Sequence, residues 1–176
     1  VAAFEIDTRP VTNAQFAEFV EAGAPHPVYW RRKDGGSDHR SDHDWELRRF
    51  ERWIPLPADE PVIHISRNEA AAFAKWRGRS LPSAAQWVRA ASEPGFELGR
   101  CWEWTSDMFL PYAGFSADPY TDYSVPWFRT HCELRGAGSC VTDGLLARAG
   151  YRNFFLPHRQ DPFAGFRTAR MAESPA

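Results

Sequence analysis

The stretch from Leu134 to Arg170 reads LRGAGSCVTDGLLARAGYRNFFLPHRQDPFAGFRTAR, and it decides the fold. Between Tyr151 and Arg167, three arginines stand among four phenylalanines and one tyrosine. Aromatic rings spaced this closely favour burial, whereas a guanidinium group keeps its charge and needs acceptors when it is buried. Such a segment builds either a pocket lined by polar groups or a set of arginine anchors for irregular loops. The anchors are favoured, since loop carbonyls need donors.

Composition bounds the class of protein. A chain of 176 residues forms one domain with a sizeable core. The net charge of −2 disfavours a nucleic-acid surface, and no apolar run reaches the roughly 18–20 residues of a membrane helix, so we expect neither partner. The cysteines Cys101, Cys132 and Cys140 lack metal-binding spacing, which favours reduced thiols and a cytoplasmic location. Because the chain starts at Val1 inside a strand-like segment, we expect an N-terminal part to be missing.

Three capping boxes predict the starts of three helices. In such a box a Ser or Thr side chain accepts from the third helical N–H, and the Glu or Gln at that position reaches back to the cap. The pairs are Thr12 with Gln15, Ser66 with Glu69, and Ser83 with Gln86. We therefore expect helices after each of these positions.

Strand signals are shorter. Alternation predicts a strand at residues 4–7, and an apolar run predicts a buried one at Pro61–Ile65, with His64 as a hydrogen-bonded core histidine. Residues 28–30 and 45–47 flank Gly-Gly as a long-looped hairpin would. His39 and His43 between them could share a helical face and bind a metal, but the alternating charges favour a solvated loop.

The segment from Trp102 to Asp107 alternates, which places Trp102 and Trp104 on one face and Glu103 on the other. A carboxylate between two tryptophans is either a cation ligand or an anchor for loop amides, and anchoring is the commoner use. Residues 108–133 form a long loop rich in aromatic side chains. Loops of this length without their own elements are functional or disordered, and the aromatic content argues against disorder.

Several strings occur in an order that resembles the formylglycine-generating-enzyme (sulfatase-modifying-factor) superfamily. They are Pro10-Val11-Thr12-Asn13, Pro61 to Ser66, Gly78-Arg79-Ser80-Leu81-Pro82, Trp102-Glu103-Trp104-Thr105, Leu134-Arg135-Gly136 with Gly138-Ser139, and Gly165-Phe166-Arg167. The resemblance covers nearly all of residues 1–176. It implies an α+β, C-type-lectin-like fold with little regular secondary structure. It also implies structural roles for Trp102, Glu103, Trp104, Arg135 and Arg167.

Within the superfamily, formylglycine-generating enzymes bind copper through two cysteines after the Gly-Ser turn. Here Cys140 stands alone, and Thr142 occupies the position of the family's first cysteine. One thiolate does not supply a two-coordinate copper site, so we expect no copper. A calcium site also has little support, because the loop that holds calcium in relatives is shortened here to Pro94–Arg100.

The strings around Tyr112, Tyr120, Tyr151 and Arg159 resemble instead the ergothioneine sulfoxide synthases and the similar selenoneine synthases. The resemblance implies an upstream DinB-type domain that holds Fe(II) with three histidines, and no metal ligands in this chain. It implies an oxidoreductase that joins a cysteine-type thiol or a selenosugar to the imidazole of hercynine. The alternatives are a non-catalytic lectin-like binding module and a formylglycine-generating oxidase.

The resemblance also implies roles for single residues. Tyr120, or second Tyr123, matches a catalytic tyrosine that donates a proton or an electron. Arg159 matches an arginine that pairs with a substrate carboxylate, for which a guanidinium fork is suited. Some sulfoxide synthases carry an aspartate where Phe155 stands, and its absence favours cysteine or a selenosugar over γ-glutamylcysteine. The other residues placed with the substrate are Asn153, Phe154, Arg152 and Ser139, of which Arg152 and Ser139 also fit a structural role.

Overall fold

The computed structural model of the protein describes residues 1–33, 45–137 and 148–172. Within them the chain forms three helices and nine short strands. The helices are α1 (Asn13–Glu21), α2 (Arg67–Trp76) and α3 (Ala84–Ala90), and the strands are β1 (Phe4–Ile6), β2 (Trp30–Arg32), β3 (Trp45–Arg49), β4 (Arg52–Pro55), β5 (Trp102–Met108), β6 (Cys132–Gly136), β7 (Arg152–Phe155), β8 (Ala164–Gly165) and β9 (Ala169–Met171). Two 3-10 turns, Thr121–Tyr123 and Val125–Trp127, lie in the long loop before β6.

The three predicted capping boxes are confirmed. Each of α1, α2 and α3 begins after the predicted cap, with both reciprocal hydrogen bonds formed. For α2, the Ser66 amide donates to the Glu69 carboxylate at 2.8 Å, and the Glu69 amide donates to the Ser66 hydroxyl at 3.2 Å. Local sequence therefore fixes where these helices start.

The strands form three sheets. β1 pairs antiparallel with β9, which joins the two ends of the described chain. β2, β3 and β4 form an antiparallel meander, so the predicted long-looped hairpin is confirmed, with its first strand starting at Trp30. His39 and His43 lie outside the described residues. The third sheet has the order β7-β6-β5-β8, in which β5 and β8 are parallel.

The third sheet separates an apolar face from an ionic one. Trp102, Trp104 and Leu134 project into the main core, and Phe155 packs against them. The core continues into α1 and α2, where the ring of Phe73 lies 5.5 Å from that of Phe16. Because side chains alternate along a strand, the intervening residues of β5, β6 and β7 face the other way. These are Glu103, Glu133, Arg135, Arg152 and Phe154.

The prediction of a strand at Pro61–Ile65 is wrong. Pro61 forms an isolated bridge with Thr12, and the Ile65 amide donates to the Ala164 carbonyl at 3.2 Å. Between them the backbone of His64 is left-handed, with φ of 61°, a conformation that no strand contains. Val62 and Ile65 are fully buried, so the apolar run identified core residues but not their backbone conformation.

The predicted hydrogen bond of His64 is confirmed, since its Nδ1 lies 3.1 Å from the Gln160 carbonyl oxygen. A carbonyl only accepts, so Nδ1 carries the proton of the neutral ring. Burial lowers the pKa of His64, against the opposing effect of backbone acceptors and the Asp161 carboxylate. The folded protein therefore holds this imidazole neutral more strongly than the unfolded chain does.

We expect this histidine to make stability sensitive to acid. Below about pH 6.5 the unfolded chain takes up a proton on His64 that the folded state resists, so stability falls as the pH drops toward the lowered pKa. Thermal unfolding between pH 8 and pH 5 should show a steeper loss for the wild type than for His64→Asn, because Asn tolerates the left-handed backbone without titrating. Parallel pH profiles would contradict this.

No helix within residues 1–33, 45–137 and 148–172 has the length and apolar character needed to cross a membrane.

Candidate functional site

The ionic face of the third sheet centres on a buried pair between Arg167 and Glu103. Their side chains are 0% and 1% exposed, with Nη2 2.7 Å and Nε 2.5 Å from the two carboxylate oxygens. The Trp87 indole donates to the same carboxylate at 2.8 Å. Glu103 therefore anchors structure, but the prediction that its partners are loop amides is wrong: they are a guanidinium and an indole.

Arg167 carries this anchor outward into two loops. It donates to the carbonyl oxygens of Asp7 and Glu97 at 2.9 and 2.7 Å, and its guanidinium lies 3.7 Å from the centre of the Phe96 ring. One side chain thus joins β5, Asp7 directly after β1, and the loop before β5. This is the arginine-anchor interpretation of the sequence, and for Arg167 it is confirmed.

A second buried network lies beside the first on β6. Glu133 and Arg135 are each 5% exposed, with Nη2 of Arg135 2.6 Å from Oε1 of Glu133, although the N–H directions leave that oxygen without an aligned hydrogen bond. Arg135 also donates to the Gly150 carbonyl at 3.0 Å and to the Tyr112 hydroxyl at 3.0 Å. Arg135 therefore connects β6 to the residue before Tyr151 and to the long loop.

Arg152 shares Glu133 and connects this network to the aromatic loop. Its Nη1 lies 3.1 Å from Oε2 of Glu133 and donates to the Leu110 carbonyl at 2.7 Å. The guanidinium lies 4.4 Å from the Phe109 ring centre and 4.0 Å from that of Tyr112. Arg152 therefore ties β7 to both Glu133 and the start of the long loop.

The sequence analysis missed Glu133. Its signal was available, because the alternation of Cys132-Glu133-Leu134-Arg135 places a carboxylate and a guanidinium on one face of one strand. Two buried charges of opposite sign on neighbouring positions of a face predict a pair.

Phe154 leads from the ionic face to an aromatic cluster. Its ring stacks on Phe109 at 4.2 Å and lies 6.4 Å from Trp127 and 5.7 Å from His131. His131 in turn packs against Trp127 at 5.2 Å, and its Nδ1 lies 2.9 Å from the Thr130 hydroxyl. The predicted pocket-wall residue thus stands among rings supplied by the long loop, and His131 is a second neighbour that the sequence analysis missed.

Arg159 lies at the edge of this cluster. Its guanidinium is 5.9 Å from the Phe155 ring centre. The pKa of His131 is lowered, mainly by burial of the imidazole and in addition by the positive charge of Arg159. Both arms of the fork contact Asp161, and this pairing holds the pKa of the Asp161 carboxyl below its ordinary value. The arginine predicted to bind a substrate carboxylate therefore already binds a carboxylate of this chain.

The remaining predicted site residues are less closely associated. Asn153 uses its side-chain oxygen to accept from the Phe154 amide at 2.8 Å. Tyr120 and Tyr123 are 69% and 71% exposed, and the described residues make no hydrogen bond or ring contact with either phenol side chain. Ser139 lies outside the described residues, as do Cys140 and Thr142. The structure thus places Arg159 beside Phe155, sets Phe154 on the opposite face of β7 among the rings of the long loop, and leaves both tyrosines at the surface.

The described residues do not form a metal centre. No group of three His, Cys, Asp or Glu side chains within residues 1–33, 45–137 and 148–172 could hold a metal ion. Cys101 and Cys132 are free thiols, as predicted, and both are buried, which raises the pKa of each. The described part of the chain therefore offers an arginine and aromatic rings, and iron does not fit it.

Comparison with known proteins shows which family the chain resembles. The sulfatase-modifying factor enzyme 1-like domain matches residues 1–97, more than half of the chain. The hercynine oxygenase of Mycobacterium tuberculosis H37Rv is 29% identical over 225 aligned positions, covering 96% of this chain and 53% of that protein. The formylglycine-generating enzyme of the same organism is 31% identical over 205 positions, covering 92% of this chain and 68% of that protein.

A solved structure agrees on the fold. PvdO from Pseudomonas aeruginosa superposes with a TM-score of 0.63 at 14% identity, over 96% of this chain and 80% of that one. The predicted α+β fold of the superfamily, with its low content of regular structure, is confirmed. The chain spans about half the length of the hercynine oxygenase that it matches.

Proposed function

Because the chain belongs to the family of sulfatase-modifying factor enzyme 1-like domains, we propose that it is the substrate-binding domain of an iron-dependent synthase that acts on hercynine. The reaction joins a sulfur or selenium donor to the imidazole of hercynine, in the biosynthesis of ergothioneine or selenoneine. The observation that carries this proposal is similarity to a hercynine oxygenase along 96% of the chain.

The division of labour follows from the side chains. As the resemblance implies, the iron of such an enzyme would be held by an upstream DinB-type domain with three histidines. The share of this chain is to bind and orient the substrates against that domain. Its exposed aromatic loop, with Tyr120 and Tyr123 at the surface, supplies side chains that can face a second domain. We assign Tyr120 as the proton or electron donor, with Tyr123 as the alternative.

Arg159 is the proposed partner of the hercynine carboxylate. Its present partner, Asp161, presents two oxygens to the guanidinium fork in the geometry that a substrate carboxylate would use. Both side chains are about half exposed, at 44% and 56%, and exposed ion pairs contribute little to stability. Exchange of Asp161 for the substrate is therefore not prevented by a strong internal contact.

Phe155 bears on the choice of donor. Its half-buried ring packs 6.5 Å from that of Trp104 and lies below Arg159. An apolar ring cannot make the contact by which an aspartate at this position helps some sulfoxide synthases to hold γ-glutamylcysteine, so this position does not favour that donor. We propose cysteine or a selenosugar as the donor.

Replacing Arg159 tests the assignment in the full-length protein. Arg159→Gln should raise the KM for hercynine about tenfold or more while kcat changes little, and Arg159→Lys should give an intermediate KM, because an ammonium pairs with a carboxylate without the bidentate fork. Arg89→Gln is the matched control, since Arg89 is an exposed residue of α3 and pairs with Glu93. An unchanged KM in Arg159→Gln would remove Arg159 from the site.

A second candidate function is a lectin-like module that binds a ligand without chemistry. The observation in its favour is the set of exposed rings in the long loop, which could contact a ligand directly. Calorimetry of hercynine with the full-length protein, with and without Fe(II), separates the two. Tight binding that is independent of iron and without turnover would favour the module.

A further inference from the structure

A cleft of about 820 Å³ borders the proposed site, since Asp161, the partner of Arg159, is among its lining residues. It lies between the β3–β4 turn, the segment before α2 and the loops that precede β5 and β8. Its volume falls within the range of small-molecule sites. The lining residues on which the argument rests are Tyr29, Arg48, Phe50, His64, Arg100 and Phe163.

The inner wall of the cleft is aromatic. The His64 imidazole lies between two rings, 4.6 Å from that of Tyr29 and 4.8 Å from that of Phe163. Its Nδ1 is committed to the Gln160 carbonyl, so in the neutral ring Nε2 is an acceptor. The wall therefore presents flat, largely apolar surfaces and one hydrogen-bond acceptor.

Backbone strain is concentrated at the same cleft. Among the described residues, three other than glycine have positive φ: Phe50 at 55°, His64 at 61° and Arg129 at 66°. Two of the three line the cleft. A left-handed backbone at a bulky residue is strained, and such strain is concentrated at binding and catalytic sites. Phe50 is also 82% exposed, so its strained turn holds a large ring in water.

Two arginines that line the cleft, Arg48 and Arg100, are available to pair with an anionic ligand. Arg49 pairs with Glu60 at 2.5 Å, and Asp161 is engaged by Arg159. Arg48 donates from Nε to the Phe50 carbonyl at 3.1 Å. Neither Arg48 nor Arg100 has a carboxylate partner within the described part of the chain, so positive charge at the cleft is not balanced by the protein.

We propose that this cleft binds a small organic anion with a flat aromatic body. The ring packs against Phe50, His64 and Phe163, and the anionic group pairs with Arg48 or Arg100. A guanidinium fork is suited to a carboxylate or phosphate, and the aromatic walls exclude water from that pair. This ligand differs from the substrates proposed above, because its cations are Arg48 and Arg100 and not Arg159, although Asp161 lines the cleft and also pairs with Arg159.

Calorimetry with three matched probes tests the proposal on the full-length protein. The probes are indole-3-acetate, neutral indole-3-acetamide and cationic tryptamine, which share one ring. Indole-3-acetate should bind with a Kd below about 1 mM, and the other two should bind about tenfold more weakly, as expected for one charge-assisted contact. Equal affinity for the acid and the amide, or no binding of the acid at millimolar concentration, would overturn the proposal.

Variants then locate the site. Arg48→Gln and Arg100→Gln should each weaken indole-3-acetate several-fold, with the double variant losing about tenfold or more, while binding of indole-3-acetamide stays unchanged. Arg52→Gln is the control, because Arg52 is exposed on the same hairpin but does not line the cleft. All four arginine variants alter exposed or partly exposed side chains, and thermal unfolding verifies that each is folded. An equal loss in Arg52→Gln would show general attraction to the basic hairpin and overturn the site.

Discussion

Replacing Arg167 by leucine is expected to lower the free energy of unfolding by about 3–5 kcal/mol, because the variant leaves a carboxylate buried without its partner. Glu103 is 1% exposed and receives two of its three hydrogen bonds from Arg167. The same substitution releases the loop carbonyls of Asp7 and Glu97. Denaturant unfolding of both proteins at pH 7 measures the difference.

The control for this prediction is an exposed ion pair of the same chemistry. Arg89 and Glu93 are 62% and 54% exposed, so Arg89→Leu should change the unfolding free energy by no more than about 1 kcal/mol. A double variant, Arg167→Leu with Glu103→Leu, should recover part of the loss, since it removes the unpaired charge. A loss below 1 kcal/mol in Arg167→Leu would show that the pair is not the anchor described.

Adding one methyl group at Gly165 is expected to cost about 3 kcal/mol, toward the upper end for overpacking a core. Gly165 pairs with Glu103 across β5 and β8, and a Cβ there would overlap the Val62 carbonyl oxygen and lie 3.1 Å from the Cys101 sulfur. The Val62 carbonyl oxygen belongs to the backbone. The overlap can therefore be removed only if the segment before α2 moves away from the sheet. Gly165→Ala should therefore unfold at a markedly lower denaturant concentration.

Gly150→Ala is the matched control. A Cβ at Gly150 would meet no atom within 4 Å, and its backbone has no positive φ to penalise a side chain. We expect that variant to unfold within about 0.5 kcal/mol of the wild type, as surface substitutions do. Equal stability of the two alanine variants would mean that β8 does not pack as closely as the structure has it.

The sequence predicted the features that depend on neighbouring residues. A capping box needs residues three apart, and all three boxes formed. Alternation along β5 correctly placed Trp104 opposite Glu103. The residue types between Tyr151 and Arg167 correctly indicated arginine anchors, because a buried guanidinium must find acceptors wherever the fold supplies them.

Features that depend on contacts between residues far apart in the chain could not be predicted from the sequence. The left-handed backbone of His64 is accompanied by a hydrogen bond to Gln160, which is 96 positions away, and no local pattern records it. Glu103 meets Arg167 across 64 positions, so the buried carboxylate was predictable and its partner was not. For the candidate site, the resemblance selected Arg159, but its pairing with Asp161, two residues on, depends on the turn between them.

Turnover by the full-length protein tests the proposed function most directly. The protein is loaded with Fe(II) and supplied with dioxygen, hercynine and either cysteine or a selenosugar, and the products are identified by mass spectrometry. We predict a conjugate at the hercynine imidazole that forms only when a donor is present and that contains sulfur or selenium. Absence of any conjugate with every thiol and selenosugar tried, from folded protein that binds iron, would contradict it.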